Sequence, residues 1–66
     1  MPEPDYGAMT VNERLFVAGT LVLFDSAARA SDRDAMVKLL IQVEIEEEQA
    51  RQIVETILSN PKKYGF

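Results

Sequence analysis

An all-α fold, built as a three-helix bundle, is predicted by three features of this 66-residue sequence. Two helix-opening signatures, Thr10-Val11-Asn12-Glu13 and Ser31 with Asp32 and Asp34 behind it, each precede an apolar-rich stretch free of proline. Ala50, Ile53, Val54, Ile57 and Leu58 recur at the spacing of one helical stripe. Between these lies Leu15–Phe24, LFVAGTLVLF, with eight apolar side chains and no charge. A helix made of it is greasy on every side, and a chain this short covers such a surface poorly.

The first helix is expected over about residues 10–30. In Thr10-x-x-Glu13 the hydroxyl and the carboxylate each satisfy one of the orphan backbone donors of the first turn, and no proline follows before Ala30. Residues 1–9 hold two prolines, a glycine and two acids, so they read as a flexible arm ahead of a single domain over 10–66. The second helix, about 32–43, opens after a Ser31 cap, with Asp32 and Asp34 suited to the positive end of the helix dipole. Val43-Glu44-Ile45-Glu46 breaks the pattern and reads as a turn plugged by Ile45. The third helix, about 47–59, starts on acids and is stopped by Asn60-Pro61, because the residue before proline is driven out of the helical region. Tyr64 and Phe66 are expected to fold back on the bundle. The expected core is Leu15, Ala18, Val22, Met36, Leu40, Ile53 and Ile57.

Small domains usually add a disulfide, a metal or a second copy of themselves to gain stability. This chain has no Cys and no His, so thiolate sites, disulfides and imidazole ligands are excluded, and no metal or cofactor is expected. Association remains, and a symmetric homodimer packed through the first helix is the prediction. Phe16, Gly19, Leu21, Leu23 and Phe24 are the candidate interface. Gly19 enters because a glycine in mid-helix costs roughly 1 kcal/mol relative to Ala, which close backbone approach can offset.

The net charge of −4 argues against a nucleic-acid partner, since phosphate binding relies on clustered Lys and Arg. A helix-turn-helix made from the second and third helices fails on the same ground: Glu46, Glu47 and Glu48 would stand at its base-reading end. Arg14 and Asp25 close the apolar run well short of the roughly 17–25 residues a membrane span needs. The acidic N-terminus does not resemble a secretory leader, so a cytoplasmic chain is expected.

The acids Glu44 and Glu46–Glu48 lack a calcium-loop spacing and read as capping charges on a solvated turn. Asp25 is expected to pair with Arg29 one turn on, or with Arg14 across a dimer. No nucleophile motif or phosphate-cradling glycine loop occurs, so no enzymatic activity is expected. The expected role is a small non-enzymatic interaction or regulatory module, homodimeric, that meets another protein through Leu21, Phe24, Tyr64 and Phe66. The alternative is a helical bundle that binds a lipid or other small apolar ligand in an internal cavity.

Overall fold

The computed structural model describes residues 6–66, so the predictions for residues 1–5 of the arm lie outside it. Among the described residues the fold is all-α: a short 3₁₀ turn at Tyr6–Ala8, then α1 (Val11–Val17), α2 (Leu21–Arg29), α3 (Arg33–Gln42) and α4 (Glu47–Ser59), and a second 3₁₀ turn at Pro61–Tyr64. There are four α-helices where the sequence predicted three, because the expected first helix is two. No described helix is long and apolar enough to cross a membrane.

Gly19 makes the break. It has φ +75°, in the left-handed region where an L side chain is strained. The Gly19 N–H donates to the Phe16 carbonyl at 3.1 Å and the Thr20 N–H to the Leu15 carbonyl at 2.9 Å. That pair of bonds is a Schellman motif, which satisfies the last carbonyls of α1 and turns the chain. Thr20 then leads directly into α2, although its side chain caps no backbone donor there.

Two further corners have the same construction without a glycine. After α2, Ser31 takes φ 54°, its N–H bonding Ala28 at 3.1 Å while the Asp32 N–H bonds Ala27 at 2.8 Å. After α3, Glu44 takes φ 65°, with bonds to Ile41 at 3.0 Å and from Ile45 to Leu40 at 3.1 Å. Ser31 is therefore the left-handed residue that ends α2. The cap of α3 is Asp32, whose carboxylate accepts from the Ala35 N–H at 3.2 Å. The predicted Thr10 capping box is present: the Glu13 N–H donates to Thr10 Oγ1 at 3.2 Å, and the Thr10 N–H to Glu13 Oε1 at 3.3 Å.

The break resets which residues face inward. The core is Leu15, Phe24, Ala27, Ala28, Met36, Leu40, Val43, Ile45, Ala50, Val54 and Ile57. Of the expected core, Leu15, Met36, Leu40 and Ile57 are buried and Ile53 is half-buried, whereas Ala18 and Val22 are exposed. Ala18 ends α1 and Val22 lies beyond the turn, so projecting both on one continuous helix misplaces them. Phe24, Ala27 and Ala28 of α2 take their place, and the two alanines allow α2 and α3 to approach closely.

Arg14 ties α1 to the segment before it and to the α3–α4 turn. Its Nε donates to the Met9 carbonyl at 3.2 Å, and its Nη1 to the carbonyls of Val43 at 3.1 Å and Glu44 at 3.4 Å. It thus serves carbonyls left free at the end of α3. Ile45 is 7% exposed and fills the α3–α4 turn as expected. Among the described residues of the arm, Tyr6 packs against the core.

Candidate interaction surfaces

With so many small residues inside, the chain leaves large apolar ones outside. Phe16 is 73% exposed, Val22 76%, Leu23 58% and Val17 49%. Phe16, Val17 and the half-buried Leu21 line a shallow hollow at the α1–α2 corner with Met9, Asn12 and Glu13, and the exposed Val22 follows Leu21 in the first turn of α2. Leu23, about 200° around α2 from Leu21, lies in a second hollow between α2 and α3.

The sequence-predicted interface residues therefore divide. Phe16 and Leu21 share the corner, Gly19 is the exposed bend beside them, and Leu23 borders the neighbouring hollow. A β-carbon added at Gly19 would meet nothing within 4 Å. Within the chain, backbone conformation and not close packing accounts for this glycine. Phe24 is 3% exposed and belongs to the core, so it is not part of the surface at the α1–α2 corner. Its ring meets Phe66 edge-on at 6.4 Å, so the predicted fold-back of the tail holds for Phe66. Tyr64 remains 41% exposed, with Lys63 Nζ 5.8 Å from its ring centre.

The charged residues form local pairs. Asp25 binds Arg29 at 3.2 Å within α2, the nearer of its two expected partners. Arg51 binds Glu47 at 3.1 Å, and Arg33 crosses from α3 to Glu55 of α4 at 2.6 Å. All six side chains are solvated, so each pair stabilises by only about 0–1 kcal/mol. Among the described residues no group of three or more acids, histidines or cysteines is placed to hold a metal ion. The run Glu44–Glu48 supplies one left-handed turn residue, the backbone cap of α4 and the first-turn acids of that helix.

Two grooves flank α4. One, between α3 and α4, is lined by Arg33, Asp34, Lys38, Glu47, Arg51 and Glu55 around Val37 and Ile41. The other, of about 730 Å³, runs between the start of α1, α4 and the C-terminal turn. Its floor includes Val11, Phe24, Ile53, Ile57 and Phe66, and its walls carry Asn12, Gln49, Gln52 and Thr56. No local sequence pattern marks this second groove, because nothing in the pattern brings Asn12 opposite Gln49, Gln52 and Thr56 of α4.

Comparison with known protein families, with curated proteins and with solved structures finds no match to this chain.

Proposed function

We propose that this chain is a small non-enzymatic interaction or regulatory module that acts as a homodimer, with the α1–α2 corner as the shared surface. The observation that carries this reading is the exposure of Phe16 at 73% and Val17 at 49% around one hollow at the α1–α2 corner, with Val22 at 76% in the first turn of α2. Contiguous apolar surface of this kind is characteristic of interaction sites. A twofold axis would bring the corner against its own copy, so that every contact between the two corners is made twice.

The magnitude is modest. Phe16, Val17 and Val22 of two copies give six side chains, each worth about 1–2 kcal/mol on partial burial, or roughly 6–12 kcal/mol together. Association costs about 4–15 kcal/mol, so at the lowest cost a gain of about 8–11 kcal/mol leaves about 4–7 kcal/mol and a Kd of about 10 μM to 1 mM. The surplus apolar residues point outward and do not surround an internal space, which supports this reading over the lipid or apolar-ligand alternative.

Light scattering on a size-exclusion column, from about 10 μM to 1 mM across that range, tests the proposal. The mass is expected to rise from one chain to two. Phe16→Asp and Val22→Asp should each abolish the rise while leaving the helical circular dichroism unchanged. A constant monomer mass, or a dimer that survives both substitutions, overturns it.

A further inference from the structure

The groove between α1, α4 and the C-terminal turn differs chemically from the rest of the surface. Charged residues make up 27% of the chain, yet among the described residues no charged side chain lines this groove, whereas six of the eight residues lining the groove on the other side of α4 are charged. Among the described residues a ligand bearing a formal charge gains no oppositely charged side chain here, and it loses hydration. Three carboxamides, those of Asn12, Gln49 and Gln52, border the apolar floor. Among the described residues none of the three takes part in a side-chain hydrogen bond, in contrast to the neighbouring Thr10, Glu13, Arg51 and Thr56.

Each carboxamide offers a carbonyl acceptor and an NH₂ donor side by side, the complement of one peptide group. Gln49, Gln52 and Thr56 stand at i, i+3 and i+7 on α4, a single face about 10 Å long at about 1.5 Å per residue. An extended chain advances about 3.3 Å per residue, so that face matches about three residues of strand. The floor of Val11, Ile53 and Phe66 receives apolar side chains on the inner side of such a segment. The volume of about 730 Å³ lies within the range of specific ligand sites, about 300–1,000 Å³.

We propose that this groove binds a short, uncharged, extended peptide segment of a partner protein, with its backbone on the Asn12, Gln49 and Gln52 carboxamides and its apolar side chains on the floor. The site adjoins the α1–α2 corner, whose hollow shares Asn12 with it, but Phe16, Val17, Leu21 and Val22 do not line it, and Gln49 and Gln52 line the groove alone. A complex of this kind uses backbone hydrogen bonds for affinity and the floor for selectivity, as strand-adding recognition domains do.

The test is a nuclear magnetic resonance titration of the isotope-labelled full chain with acetyl-Leu-Ala-Leu-amide, up to about 10 mM to reach weak affinities. Saturable shifts are expected at the side-chain amides of Asn12, Gln49 and Gln52 and at the Ile53 and Ile57 methyls. Acetyl-Glu-Ala-Lys-amide and cyclohexanol are the counter-probes, the first charged and the second apolar without an amide. Both should bind at least about threefold more weakly than the neutral peptide. Asn12→Ala and Gln49→Ala should each weaken peptide binding by between about twofold and tenfold. Both positions are exposed, and unchanged circular dichroism will show that the fold is kept. Absence of saturable shifts, shifts centred on Phe16 and Val22, or equal binding of either counter-probe overturns the proposal.

Discussion

Replacing Gly19 by Ala isolates the backbone term at the α1–α2 corner. The added methyl group meets nothing within 4 Å, so no clash contributes, and only the φ of +75° penalises it. A left-handed conformation costs an L-residue roughly 1–2 kcal/mol. The narrower unfolded ensemble of Ala returns about 0.4–1 kcal/mol, leaving a net loss of about 1 kcal/mol. In a domain of this size that lowers Tm by about 4–8 °C. Glu44→Gly is the mirror experiment, because Glu44 holds φ 65° at an equivalent corner. Relief of its strain should exceed the extra entropy of glycine by about 0.5–1 kcal/mol and raise Tm by a few degrees. Thermal melts of the three proteins at two concentrations separate backbone strain from association. Strain alone gives the same shift at both concentrations, whereas loss of a dimer contact at Gly19 gives a shift that grows with concentration. Equal stability of wild type and Gly19→Ala, or a shift that depends on concentration, would refute the backbone account of this glycine.

Other expectations follow from the core and the caps. Leu40 is fully buried, so Leu40→Ala should cost about 2–5 kcal/mol in denaturant titrations, a large share of the roughly 3–10 kcal/mol expected for a domain of this length. Thr10→Ala removes the hydroxyl half of the capping box while the backbone N–H of residue 10 can still donate to Glu13, and it should cost about 0.5–2 kcal/mol by the same measurement. Arg14→Lys should not restore the loss in Arg14→Ala, since one ammonium cannot reproduce the fork that reaches Met9, Val43 and Glu44 together. A double-mutant cycle on Phe24 and Phe66 should return a coupling of about 0.5–1.5 kcal/mol; zero coupling would mean that the tail docks by area alone.

The sequence revealed the helices wherever capping chemistry announced them. Thr10 with Glu13, and Asn60 with Pro61, marked real boundaries, and the single amphipathic stripe placed α4 at Glu47–Ser59. The apolar run misled because hydrophobicity carries no phase once both faces are greasy. Gly19 fits a mid-helix site and a helix-ending site equally well by composition, and only the positions of Leu15 and Phe24 relative to the core decide between them. Ser31 and Glu44 were harder still, because neither residue type advertises a positive φ. Surface residues were partly legible: Phe16 and Leu21 share the corner, while Phe24 went inward once the turn rotated α2. The neutral groove depends on Asn12 and α4 meeting in space, which no local pattern encodes.

The repeated left-handed corners have a kinetic consequence. Each helix packs mainly on the next one in the chain, with α1 reaching α3 as the longer link, so few contacts need a large loop to close first. Chains with such local topology fold in microseconds to milliseconds. Each corner is completed by hydrogen bonds spanning only three to five residues, so it can form before its helices meet. Relaxation after a temperature jump should therefore be fast and single-exponential, with no phase that waits on distant parts of the chain.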